Sequence, residues 1–313
     1  MPEGAAAERL ARTSTAACND VGVLPGSPTQ PRASSVQSYD ERRPAAALAG
    51  HVASVWIQHV APDSAPYTHR TVPHASIELS VQVGSLPHVI GPTTGPVVGT
   101  LAPGTTVIGV RLLPGAGPSI FGVPASELVD LTVGSSELWG PSAAALGEAV
   151  AAAASPEEAA ATLEQTIVDR LASAAAPDEL VTEAVRSLMS GGGDDVGSLT
   201  SSLHISERQL RRRTRAAIGH APKIVQRIMR FQGFLALAHA RWDAGAELAL
   251  LAAEAGYSDQ SHLTRESLRL SGLSPRALLR EAEENCVGSH DHAASWAPFL
   301  RSRGGRRATL TLV

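Results

Sequence analysis

Two stretches of this chain repeat one plan, and that repetition limits the fold more than any other feature of the sequence. They are "HISERQLRRRTRAAIGHAP" (204–222) and "AELALLAAEAGYSDQSHLTRESLRLSG" (246–272). In the first, Ser206 is a good N-cap and Gln209, three residues on, completes a capping box. Gly219 ends the predicted helix and Pro222 opens the next. Leu210, Thr214, Ala217 and Ile218 share one face, while Arg208, Arg211, Arg212 and Arg215 line the opposite one. Clustered like charges on a helix repel one another unless an anion neutralises them. A solvated basic face is the ordinary alternative.

The helix before it decides between these readings. Val196, Leu199 and Leu203 give it an apolar stripe, and a three-residue turn separates it from the arginine helix. A helix, a short turn and a capped second helix with an exposed polar face make a helix-turn-helix, whose second helix enters the major groove. The second stretch follows suit. Leu248, Leu251 and Ala252 face inward, Ala252 and Gly256 are small where two helices would cross, and Ser258 is the expected cap. Leu263 and Leu270 then point in, and Gln260, Ser261, Thr264 and Arg265 point out. Gln pairs with adenine and Arg with guanine through two hydrogen bonds each, at about 1–3 kcal/mol of discrimination per good pair.

Between the motifs, Ile224, Ile228, Phe231, Leu235 and Ala238 form a helical stripe expected to bind both together. A linker of about 27 Å could set the two reading helices in successive major grooves, about 34 Å apart.

The overall charge of −4 hides this basic region. Residues 194–282 hold 13 Lys and Arg against 9 Asp and Glu, and 206–230 hold eight against one. That is the footprint of a domain that meets phosphate. A non-specific architectural DNA binder, the alternative reading, calls for a more positive chain and has no use for Gln260 and Arg265 at base edges.

Upstream the texture differs. Residues 1–36 lack periodicity and read as a disordered tail. From 37 to 140, β-branched runs alternate with turns: "HVASVWIQHV", "SIELSVQV", "HVIGPTTGPVVGTL" and "TTVIGVRLLPG". Ile77, Leu79, Val81 and Val83 alternate as in a half-buried strand. A short helix near "PASELVDL" closes this β-rich domain, and two or three helices follow over 141–190, with Leu163, Ile167 and Leu171 on one stripe. "SGGGDD" (190–195) reads as a hinge, since it lacks the Gly-Lys-Ser/Thr of a phosphate loop. The DNA-reading domain then occupies 191–284, and 285–313, with "RSRGGRR", reads as a flexible basic tail. The fold class is α+β: a β-rich N-terminal sensor-type domain, then an all-α domain of two helix-turn-helix motifs joined by a long linker helix.

Residues 190–282 resemble the DNA-binding domain of the AraC/XylS family of bacterial transcription regulators. "ISERQLRRRTRAAIGHAP" is similar to that family's first reading helix, and "GYSDQSHLTR" with "GLSP" to its most diagnostic segment. The resemblance implies base-facing roles for Arg208, Arg211 and Arg212, then for Gln260, Ser261, His262, Thr264 and Arg265. Arg215, on the same basic face, is expected to bind DNA of any sequence alike, as a backbone contact does. The resemblance also implies an activator, as most of that family are; the cysteine usage and the lack of a membrane-length apolar run make the cytoplasm the expected location. Its partner would be double-stranded DNA; RNA polymerase, a small-molecule effector at the N-terminal domain and a second copy of the chain are partners such a regulator allows. Thr214 and Ser267 stand where the family packs phenylalanine, and Thr200 where it prefers alanine. A smaller core side chain can cost 2–5 kcal/mol, so the reader is expected to be marginally stable without DNA or its N-terminal partner. Residues from "ERRPAAALAGHVASVWIQHV" to "LWG" are similar to an uncharacterised domain often found ahead of this module.

Other chemistry is thinly supported. Arg111, after a buried-looking strand, reads as a structural salt bridge, with an anionic-ligand contact as the alternative. His69, His74 and Glu78 do not have metal-site spacing, and His74 reads as a satisfied surface or rim histidine. No metal or cofactor is expected. Cys18 and Cys286 lie far apart and suggest neither a disulfide nor the thiol nucleophile of a DNA-modifying enzyme, and no serine is framed by glycines. No apolar run reaches the roughly 18 residues a membrane span needs.

Overall fold

A computed structural model describes residues 37–189, 196–241, 247–285 and 290–301. The expected disordered tail at 1–36, the hinge at 190–195, both cysteines and residues 302–313 lie outside the described residues.

The N-terminal half is built on strands β1 (Gln37–Arg42), β2 (Val52–Val60), β3 (Tyr67–Thr71), β4 (Glu78–Gln82), β5 (His88–Ile90), β6 (Val97–Leu101), β7 (Thr106–Leu112) and β8 (Thr132–Gly134). A seven-stranded sheet runs β8-β5-β4-β7-β2-β1-β9, where β9 (His290–Asp291) arrives from the far end of the chain, and β3 and β6 pair as a separate ribbon. The alternation seen in the sequence places the two faces. Val55 pairs with Val110 and Ile57 with Ile108 across β2 and β7, and Leu79 pairs with Val110. These side chains form the core face, covered by α3 (Ser142–Ala152) and α4 (Pro156–Leu171) through Leu146, Val150, Leu163 and Ile167. Val83 departs from the expected stripe and is 42% exposed, because β4 ends one residue earlier.

The opposite sheet face carries polar side chains. Arg111 of β7 lies opposite Ser54 of β2 and Glu78 of β4, and Glu41 lies opposite Trp56. Arg111 Nε donates to Glu78 Oε1 at 2.5 Å and Nη1 to Glu41 Oε1 at 3.1 Å. Both carboxylates are buried. Burial works against their charge. Arg111 outweighs it together with hydrogen bonds from Tyr39 and Ser295 at Glu41, and with His74 and a hydrogen bond from Arg111 at Glu78, so both stay below the usual carboxylate range. Arg111 is thus the centre of an internal ion-pair cluster, as a structural salt bridge requires. An incoming anion would meet a guanidinium already matched twice. His74 is not a surface histidine: its Nε2 lies 3.3 Å from Glu78 Oε1 and its Nδ1 is buried without a partner. Burial lowers its pKa to about 4. No group of three or more His, Cys, Asp or Glu among the described residues is placed to hold a metal.

The helices between sheet and reader do not act as a mere linker. α3 and α4 belong to the sheet's core, whereas α5 (Glu179–Met189) gives Val181, Ala184, Val185 and Leu188 to a second core. That core is the reader's, and contains α6 (Val196–Ser202), α7 (Glu207–Ile218), α8 (Pro222–Arg241), α9 (Leu248–Glu254), α10 (Gln260–Ser271) and α11 (Pro275–Asn285). Three short helices complete the described residues: α1 (Gly117–Phe121) and α2 (Ser135–Trp139) in the N-terminal half, and α12 (Ala293–Arg301). Residues 290–301, expected as flexible tail, form β9 and α12. The expectation rested on the arginines of "RSRGGRR", nearly all of which lie beyond α12; the apolar Trp296, Phe299 and Leu300 before them pack into the reader's core.

Candidate nucleic-acid interface

The first reading helix is built as its sequence dictates. Ser206 Oγ accepts from the Gln209 backbone N–H at 3.3 Å, and Gln209 Oε1 accepts from the Ser206 N–H at 3.0 Å, which closes the capping box. Leu210, Thr214, Ala217 and Ile218 are buried, and Arg208, Arg211, Arg212 and Arg215 are exposed. None of these four arginines pairs with a carboxylate among the described residues. The fifth, Arg213, is held by Asp178 Oδ2 at 2.7 Å and braces α7 against the start of α5. So the arginines divide by face: one ties the helix down and four are left exposed.

The second reading helix starts one residue later than expected. Its N-cap is Asp259, not Ser258: Asp259 Oδ1 accepts from the His262 backbone N–H at 2.7 Å. That bond, then the Arg265 charge, favour the ionised carboxylate and lower its pKa despite slight desolvation. Ser258 instead meets His262 Nδ1 at 3.2 Å, and His262 stands edge-on to Tyr257, ring centroids 5.2 Å apart. Gln260, Ser261 and Arg265 are exposed; His262 and Thr264 are half-buried. Thr264 Oγ1 donates to the Gln260 carbonyl at 2.9 Å, so toward DNA this hydroxyl can only accept. Gly256 is exposed and open, so helix crossing does not explain it; its φ of +85° does, since the chain turns there from α9 toward the cap.

Both reading helices pack on α8, which spans 20 residues. That helix is buried on nearly all sides, by Val225, Ile228, Met229, Phe231, Phe234 and Leu237 among others. Ile224 departs from the expected stripe and is 37% exposed; Val225 takes the inward place. Arg227 locks α8 to α10 through Glu266, with Nε 2.7 Å from Oε2 and Nη2 3.1 Å from Oε1. Arg241 grips Glu254 of α9 at 2.6 and 2.9 Å. The sequence signal for these pairs was weak, because the partners sit 39 and 13 residues apart.

The two polar substitutions in the mini-cores are satisfied. Thr214 Oγ1 donates to the Leu210 carbonyl at 2.7 Å. Ser267 is fully buried, and its Oγ donates to the Leu273 carbonyl at 2.8 Å. Each hydroxyl therefore escapes the cost of an unmade buried bond. Thr200 Oγ1 likewise donates to the Gly197 carbonyl at 2.8 Å.

The N-terminal domain touches the C-terminal end of both reading helices. After α7, His220 Nε2 lies 3.2 Å from the Thr93 carbonyl, and Gly219 is closed in by Val129, Ala125 and Pro92. After α10, Arg70 of β3 donates from Nη1 to the Ser271 carbonyl at 3.0 Å and forms a two-point ion pair with Glu281 of α11 at 2.9 and 3.3 Å. Gln232 of α8 donates to the Pro73 carbonyl at 2.8 Å. Arg70, Thr93 and Gln232 were not legible as site residues, because each contact joins segments more than a hundred residues apart.

Comparison with known families agrees with this geometry. Residues 199–281 match a family described as a helix-turn-helix domain. That segment is similar to helix-turn-helix domains of the AraC type. Residues 40–134 match a domain of unknown function, DUF6597. No curated protein matches the chain. Among solved structures, the chain is similar to ToxT from Vibrio cholerae O395, at 10% identity and a TM-score of 0.39, over 69% of this chain and 96% of that one. A second ToxT structure, bound to (E)-4-(8-methylnaphthalen-1-yl)but-3-enoic acid, aligns at 9% identity and a TM-score of 0.39, over 69% of this chain and 97% of the other. Likeness this remote transfers neither ligand nor mechanism. The helix-turn-helix match points to DNA-binding transcription regulation. Among the described residues, no helix is long and apolar enough to cross a membrane.

Proposed function

We propose that this chain is a sequence-specific transcription regulator, an activator, that reads two successive major grooves of one duplex with α7 and α10. The observation that carries this reading is the pair of capped helices on one α8. One presents Arg208, Arg211, Arg212 and Arg215 without counter-charge, and the other presents Gln260, Ser261 and Arg265 at its N-terminal end. In this reading Gln260 and Arg265 contact base edges, His262 and Thr264 support them from half-buried positions, and Arg215 binds phosphate. The protein works where the DNA is, in the cytoplasm. RNA polymerase, a small-molecule effector and a second copy of the chain remain partners that an activator of this build accommodates.

The N-terminal domain modulates this activity in the same reading. Its contacts at Ser271 and His220 hold the ends of both reading helices, so any shift of the sheet relative to the reader alters how the helices are presented.

Selection from a random duplex library by the full chain, at near-physiological salt, tests the proposal. The expected product is a motif of two blocks about one helical turn apart. Arg265→Ala relaxes one base position, whereas Arg215→Ala weakens binding to all sequences alike. Equal competition by any duplex would mean a non-specific binder. Identical behaviour of the two variants would refute the assignment of roles.

A further inference from the structure

After α11 the chain returns to the edge of the N-terminal sheet. β9 adds a parallel strand to β1, with Tyr39 opposite His290 and Asp40 opposite Asp291. α12 then lies against β1 and β2 on one side and α8 on the other. On the sheet side, the Ser295 backbone N–H donates to Glu41 Oε2 at 3.0 Å, and Arg111 Nη1 donates to Ser295 Oγ at 2.6 Å. Ser295 Oγ also lies 3.1 Å from Ser54 Oγ, and His292 stacks on Tyr39 with ring centroids 4.7 Å apart. On the α8 side, the Trp296 ring centroid lies 4.4 Å from that of His239, and Phe299 is 6% exposed within the reader's core. One short helix therefore completes both a buried ion-pair cluster and a hydrophobic core.

Around the same cluster, Trp56 Nε1, His69 Nδ1 and His74 Nδ1 are buried with no hydrogen-bond partner. An unpaired buried polar atom costs free energy that water would relieve.

We propose that residues 290–301 are a strap that couples the polar interior of the N-terminal sheet to the DNA-reading domain. Seated, it caps Glu41 and Arg111 and packs Trp296 and Phe299 beside α8. Lifted, it opens the interior to water or a polar solute and withdraws the same two side chains from α8. The consequence for DNA rests on the reading of the N-terminal domain as a modulator; the coupling itself does not.

Amide hydrogen exchange of the full chain, followed by mass spectrometry, tests the strap from each side. Trp296→Ala perturbs the α8 side, and Ser295→Ala removes the hydroxyl from Arg111 and Ser54. The expected result is reciprocal, with exchange faster by about tenfold or more on the untouched side: β1 responds to Trp296→Ala, and α8 responds to Ser295→Ala. Ser295→Ala carries the test alone if Trp296→Ala does not fold. The strap is overturned if each variant loosens only the element it touches, or if 290–301 of the parent chain exchanges like an unstructured peptide. Affinity for the selected duplex separates the two readings. Coupled exchange with unchanged affinity keeps the strap and removes N-terminal modulation.

Discussion

Gly219 and Gly256 share a backbone conformation, with φ of +87° and +85°, but not an environment. A Cβ at either position incurs the left-handed penalty, about 1–2 kcal/mol for an L-residue. At Gly256 the cost should stop there, because the nearest heavy atom would be Arg230 Nε at 3.9 Å. At Gly219 the new Cβ would lie 2.7 Å from Val129 Cγ2, 3.1 Å from the Ala125 carbonyl oxygen and 3.1 Å from Pro92 Cγ. All three belong to the N-terminal domain, and two sit on short, constrained segments that cannot swing aside. Overpacking of this kind adds about 1–3 kcal/mol. Gly219→Ala should therefore destabilise the reader by about 2–5 kcal/mol, and Gly256→Ala by about 1–2 kcal/mol. Urea unfolding of the full chain, read from midpoints at constant slope, measures both. The difference isolates the contact between the domains, since the backbone term cancels. Equal losses in the two variants would refute the argument that the N-terminal domain sits against the end of α7.

Further expectations follow from the same interface and from the buried cluster. Arg70→Ala and Glu281→Ala, singly and together, should show a coupling of about 1 kcal/mol or more, as a half-buried two-point pair gives; additive losses would mean the pair is not formed. Residues 190–284 alone should melt well below the same domain in the full chain, because α5 and α12 complete its core; a melt typical of a domain of that size would refute this. Stability should fall on acidification. Burial lowers the pKa of His74 to about 4 from 6.5, so the unfolded chain binds its proton first. Stability is then lost as pH drops from 6.5 toward 4, by up to about 3 kcal/mol from this residue. His69 and His220, lowered by burial too, act in the same direction. Midpoints that stay flat or rise across this window would contradict the burial of these rings.

The local rules were written in the sequence and held. Ser206, Gln209 and Gly219 fix the ends of α7 through hydrogen bonds spanning three or four residues, which a linear reading can see. The period of α7 separates Leu210 and Ile218 from the four exposed arginines for the same reason. Where two local solutions were available, the sequence could not choose. Ser258 and Asp259 are both good cap residues, and the structure uses Asp259, whose carboxylate accepts the His262 backbone N–H at 2.7 Å. Ile224 and Val225 are adjacent apolar residues, and only the position of the neighbouring elements determines which is buried.

What the sequence determined by itself was therefore the reader: two capped helices, their faces and the apolar helix between them. The tertiary structure decided how the reader is held. Arg70 reaches Glu281, Gln232 reaches Pro73, and Ser295 reaches Glu41 across separations of 211, 159 and 254 residues. No periodicity links such residues, because each contact depends on where the whole sheet comes to rest. The tail of the chain shows the difference most plainly. Its arginines read as solvated, but the burial of Trp296 and Phe299 depends on a sheet edge and a helix that the segment meets only once the chain has folded.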